Sequence, residues 1–201
     1  MTEETSLRLK LPLVPLNTVL FPDGPLPLRI FEPRYLDMIS QCMKDESPFG
    51  ICLISEGDEV GASAVPHEIG TIARIQDWHM RHDGILGITV IGDQRFKIIS
   101  SKIQTDQLAI AEVELLDAEL PEDVPVDYLA LVDLLKEFIG QIPHRYENIT
   151  KRYGDASWVG YRLSELLPLK ISQKQYFLQL DDPIQRLERL SAVLEHLDIH
   201  V

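Results

Sequence analysis

The chain has 201 residues, 45% of them hydrophobic and 25% charged, with a formal net charge of −13. These are globular values, which exclude a largely disordered chain and suit one large domain or two small ones. Residues 1–118 hold 18 acids against 10 Lys and Arg, and residues 119–201 hold 14 against 9, so neither half carries the basic footprint on which nucleic-acid binding leans.

Residues 1–10 read as a loose tail running into a first strand. Their polar, acidic start lacks the basic and apolar regions of a signal peptide. No apolar run in the chain reaches the roughly 18–20 residues that span a bilayer, so the expectation is a cytoplasmic protein without membrane contact. From Leu11 to Tyr35 six prolines stand among apolar residues. Proline removes a backbone donor and fixes φ, so this run is expected to form short edge strands joined by sharp turns, not a helix or a central strand. Pro33 suits the first turn of a helix. Tyr35, Leu36, Met38, Ile39, Cys42 and Met43 then recur at three- and four-residue intervals, which predicts an amphipathic helix near 33–45. Ser47-Pro48 ends it. Cys42 and Cys52 are the only cysteines, too few for a disulfide framework or a four-cysteine zinc site, and they read as buried thiols.

Phe49 to Ile54 is an apolar strand run closed by Glu56-Gly57-Asp58. Residues 71–91 read as a hairpin, with His82-Asp83-Gly84 as its turn. Gly92-Asp93 interrupts the pattern and suggests a bulge or a bent corner, with Gly92-Asp93-Gln94-Arg95 read as a structural turn. Arg95 to Ser100 and Leu108 to Leu116 are further strands. Six or seven short strands and one inserted helix before residue 118, with frequent Gly and Pro, point to a small closed or partly closed barrel.

The pattern changes at residues 119–125, which are acidic, contain two prolines and read as a linker. From Val126 the period is helical, with Leu129, Val132, Leu135, Ile139 and Ile142 on one face and a break at Pro143. A second helix covers residues 157–167 and stops before Pro168. Ser172 can cap a third. Asp182-Pro183 starts a fourth, whose apolar residues are Ile184, Leu187, Leu190, Val193, Leu194 and Leu197. His144, His196 and His200 have no partner legible in the sequence.

Four groups of residues together resemble the N-terminal substrate-binding domain of the ATP-dependent protease Lon, in its free-standing bacterial form. They are Leu13-Val14-Pro15-Leu16 with Leu20-Phe21-Pro22 and residues 27–34; residues 69–75; residues 87–98; and the helical residues 164–170, 174–179 and 183–187. The resemblance implies an α+β fold: a PUA-like small β-barrel with an inserted helix over 8–118, then a helical bundle over 126–201. It also implies a module that engages unfolded or degron-bearing proteins, in association with a protease or chaperone. The 201 residues contain no Gly-x-x-x-x-Gly-Lys-Ser/Thr loop to wrap a phosphate. Ser172 and Lys174 are close in sequence, but they read as a helix cap and a solvated lysine, not as a peptidase dyad.

The candidate peptide-binding residues are Arg29, Phe31, Arg34, Trp78, His79 and Arg81. The first three place an aromatic between cations, which can hold apolar side chains and carboxylates. The competing reading gives Phe31 to the core and the arginines to surface ion pairs. Residues 78–83 form the densest polar and aromatic cluster. Strand alternation puts His79 and Arg81 on one face and Trp78, Met80 and His82 on the other, which separates the histidines and works against a metal site. No catalytic group, metal or cofactor is expected. The reading is a non-catalytic protein-recognition module. The alternative is an RNA-binding PUA-like module, which the acidity disfavours; a small-molecule enzyme in the barrel pocket has no nucleophile-base pair behind it.

Overall fold

In the computed structural model, which describes residues 7–196, six strands with one α-helix inserted among them are followed by four further α-helices. The chain divides into two compact units. One holds the residues up to Pro22 and Leu26–Ala118; the other holds Asp23–Pro25 and the residues from Glu119 onward. Residues 1–6 of the expected tail, Leu197 and His200 lie outside the described residues, as does the side chain of His196.

The first unit contains β1 (Arg8–Leu16), β2 (Pro25–Ile30), α1 (Pro33–Asp45), β3 (Phe49–Glu56), β4 (Val65–Met80), β5 (Leu86–Ile103) and β6 (Ala109–Leu115). The sheet order is β2-β5-β4-β3-β1-β6, and a further β5–β6 pairing closes the last five strands on themselves. β1 is therefore not an edge strand, contrary to the expectation for its prolines. The strand changes partner midway. Residues 8–13 pair antiparallel with β6 and residues 13–16 pair parallel with β3. Pro12 and Pro15 each lie where only one flank is paired, so the missing N–H need not break a ladder on the other flank.

α1 forms where its spacing predicts. Pro33 occupies the first turn, and Tyr35, Met38, Ile39 and Cys42 make the buried face. Glu46 adopts a left-handed conformation (φ 52°), and the Ser47 N–H returns to the Cys42 carbonyl at 3.0 Å, which ends the helix before Pro48. The β4–β5 hairpin turns at residues 81–85, with Gly84 at φ 77°. β4 begins at Val65, several residues earlier than the sequence pattern suggests. Gly92 to Arg95 is not a turn: β5 runs through it. The register shifts so that Asp93 and Gln94 of β5 lie between the pairs Ala73–Gly92 and Thr71–Arg95. Gly92 also approaches Phe21 so closely that a Cβ would stand 2.1 Å from the Phe21 carbonyl oxygen. Two apolar clusters fill the unit. One joins α1 to Phe49, Ile51, Ile88 and Val90; the other centres on Leu13, Ile72, Phe96 and Val113.

The second unit contains a 3-10 turn (Val126–Tyr128), α2 (Leu129–Gln141), a 3-10 turn (Pro143–Tyr146), α3 (Ala156–Leu166), α4 (Ile171–Gln179) and α5 (Pro183–His196). The Asp155 carboxylate caps α3 by accepting from the Ser157 and Trp158 N–H groups. Lys170, not Ser172, precedes α4, and its N–H donates to the Gln173 Oε1 at 3.0 Å. Lys174 is not a solvated lysine: its Nζ donates to the Glu165 carbonyl at 2.6 Å. Asp182 accepts from the Gln185 N–H at the start of α5. The expected linker is partly built in. Val124 N–H reaches the Gly154 carbonyl, and Ala156 N–H reaches the Glu122 carbonyl.

Glu119 is the clearest departure from a solvated linker acid. Its carboxylate takes both ends of the fully buried Arg186 guanidinium, at 2.9 and 2.5 Å, and accepts from the Ser157 and Tyr161 hydroxyls. Burial raises its pKa, but the hydrogen bonds and charge of Arg186, with the two hydroxyls, outweigh burial and hold it below the usual range. Among the described residues no helix is long and apolar enough to cross a membrane.

Candidate functional site

The site grows out of the β4–β5 hairpin. Trp78 lies opposite Ile88, and Met80 lies opposite Leu86, so each pair shares one face of the ribbon. Ile88 belongs to the α1 cluster, and Leu86 packs against it. Trp78 and Met80 extend that apolar face toward the turn, where they are 54% and 64% exposed. Where α1 ends, Cys42, Met43, Pro48, Ile75 and Trp78 line an open groove of about 400 Å³, with Arg74 and Glu46 also in its wall.

Strict alternation would put Ile75 and Trp78 on opposite faces. The register shift between Ile75 and Asp77 reverses that, because Ile75 pairs with Val90 and Trp78 with Ile88. The bulge thus aligns both side chains with the same groove. Sequence reading found Trp78 but missed Met43, Pro48 and Ile75. The buried positions Ile88 and Val90, two residues apart on the partner strand, carry the signal that could have found Ile75.

The six candidates divide. Arg29 and Arg81 converge on the Asp83 carboxylate, at 3.4 and 3.3 Å. The Ile85 N–H, then Arg81 and Arg29, hold that carboxyl below its usual range. Phe31 is 54% exposed, which removes it from the core, and it lines a smaller hollow with Leu28, Glu59 and Val60. Arg34 does not reach the surface. It is 6% exposed, pairs with Glu32 at 2.9 Å, donates to the Gln107 carbonyl and stacks on Tyr35. His79 is exposed, with its ring against Gly87, where a Cβ would stand 2.7 Å away. Alternation places His79 and Arg81 on the ribbon face opposite Trp78. The structure therefore joins Arg29 to Arg81, and sets Trp78 and Phe31 in separate hollows.

Chemically, the groove offers apolar surface bordered by the polar side chains of Glu46, Ser47, Arg74 and Gln76. Its one thiol, Cys42, is pushed above the ordinary range by burial, which works against a nucleophilic role. This lining can provide apolar contact together with polar groups at its margin.

Comparison with known proteins follows the same direction. Residues 10–196 match the family described as "ATP-dependent protease La (LON) substrate-binding domain". A Lon N-terminal domain protein from Xanthomonas campestris, known from its crystal structure, is 35% identical, with a TM-score of 0.77, over 92% of this chain and 98% of that one. The N-terminal domain of a Mycobacterium avium complex Lon protease shares the fold, with a TM-score of 0.64 at 18% identity over 96% and 100% of the two chains. Lon protease 1 of Bdellovibrio bacteriovorus is 24% identical over 94% of this chain and 25% of its own length. The chain thus spans about a quarter of the length of the curated relatives it matches.

Proposed function

The chain belongs to the family of Lon substrate-binding domains, and from that premise we propose that it is a non-catalytic module that binds exposed apolar segments of unfolded or degron-bearing proteins. We read the closed ring of strands as a PUA-like barrel and the helices as a bundle beside it in sequence. The observation that carries the function is the apolar face running from Ile88 past Ile75 to the exposed Trp78 and Met80. A soluble protein seldom leaves a large aromatic and a methionine at the open end of a core without a ligand for them. Delivery of the bound protein to a protease or chaperone in the cytoplasm completes the proposal.

A fluorescently labelled, permanently unfolded protein titrated with this chain tests it. Saturable binding at about ten micromolar is expected, and no binding at several times that concentration would remove the proposal. The −13 charge predicts only flat, weak association with RNA at low salt; tight, steeply salt-dependent binding would favour an RNA-binding module instead.

A further inference from the structure

The groove also has an unused backbone edge. β3 pairs with β4 only as far as Phe49 opposite Ala73, and beyond that point β4 pairs with β5 alone. Among the described residues no strand covers the outer edge of β4 over residues 74–80. The direction of its backbone groups follows from two contacts. Arg81 N–H donates to the Ile85 carbonyl across the hairpin, so residues 79 and 81 face β5 and residues 78 and 80 face outward. Consistent with that, the Trp78 N–H donates to the Asp77 carboxylate at 2.8 Å instead of to β5.

Resting on the recognition reading, we propose that the occupant is an extended polypeptide segment that adds to β4 as an extra strand, in line with β3. It takes the outward N–H and C=O groups of Trp78 and Met80 while its side chains enter the groove. An open ladder is matched in chemistry by another backbone, and alternate side chains then reach one face. The Asp77 carboxylate covers the Trp78 N–H in the unbound state, as edge strands are commonly guarded, and gives way to the incoming carbonyl. Glu46 supplies a carboxylate in the groove wall beside this edge, while Arg74 is already paired with Asp93 at 2.6 Å. The segment preferred is therefore apolar with Lys or Arg at its ends.

The probe is a synthetic peptide of about ten residues with alternating Leu and Thr and lysines at both ends. Two N-methylated versions block alternate sets of backbone donors without changing side chains. Strand addition predicts that one set weakens binding by about tenfold or more and that the other changes it little. It also predicts that Asp77→Ala, which uncovers the Trp78 N–H, tightens binding several-fold. Hydrogen exchange of the Trp78 and Met80 amides should slow in the complex. Equal effects of both N-methyl sets, with binding intact, would overturn strand addition and leave the recognition proposal standing. Absence of binding to this peptide and to unfolded protein would overturn both. Self-association of the chain that is lost on the Trp78→Ser substitution would show that a second copy, not a client, occupies the edge, and would also overturn the inference.

Discussion

The two units differ in where they keep their tryptophan and in how completely they bury charge. The strand unit packs two apolar clusters, buries Arg34 and Arg95 besides, and leaves Trp78, Met80 and Phe31 exposed. The helical unit hides its tryptophan, Trp158, and buries Arg162 and Arg186 completely. Arg186 donates to Glu119 and to the carbonyls of Phe177 and Leu180, with its guanidinium 3.9 Å from the Tyr161 ring centre. A buried ion pair adds little over an apolar replacement, yet it is costly to break from one side. The helical unit thus holds a fully buried charge network, whereas the strand unit packs its clusters closely and leaves its tryptophan exposed.

The largest effect should come from breaking the network. Arg186→Ala leaves Glu119 buried without its cation and should cost about 3–5 kcal/mol. Chemical denaturation followed through Trp158 would measure it, and a loss below about 1 kcal/mol would show that the network is dispensable. In the strand unit the comparable lesion is steric. Gly92→Ala drives a Cβ into the Phe21 carbonyl and should cost about 1–3 kcal/mol, read in the same experiment.

Acid should separate the units next. Glu119 has a lowered pKa in the folded chain, so its contribution is present above its unfolded pKa, about 4.3, and is lost as pH falls through the lower folded value. Melting temperature should hold through neutrality and fall below about pH 4. Glu119→Gln should be less stable near neutrality and show a shallower acid decline.

These effects were legible in the sequence only where the cause is local. Pro33 and the spacing of Tyr35, Met38, Ile39 and Cys42 mark α1, and Asp83-Gly84 marks the hairpin. The middle position of β1 was not legible, because its change of partner between β6 and β3 depends on strands remote in the chain. Glu119 read as a linker acid because its partner, Arg186, lies 67 residues away. At the site, Trp78 stood out as an aromatic in a polar cluster, but the bulge that brings Ile75 beside it hides from a period-of-two pattern. Arg34 looked like a surface cation; its burial follows from the Glu32 pair and the distant Gln107 carbonyl.

Smaller effects should confirm which surface is free. Trp78→Ser should cost about 1 kcal/mol of stability, because roughly half of the side chain is already exposed, while weakening binding of unfolded protein about tenfold. Denaturation and titration of the same variant check both halves of that statement. Cys52, 1% exposed and with its pKa pushed up to about 12 by burial, should resist alkylation at pH 8 until the chain unfolds. Mass spectrometry after brief labelling would show it.

Each unit contains one of the two tryptophans, and only Trp78 is exposed. In a Trp158→Phe chain, emission reports the groove alone. Adding unfolded polypeptide should shift that emission to the blue and shield it from acrylamide, in step with binding followed by anisotropy. Binding that saturates while Trp78 emission and quenching stay unchanged would contradict the account, because the polypeptide would then be held somewhere other than this groove.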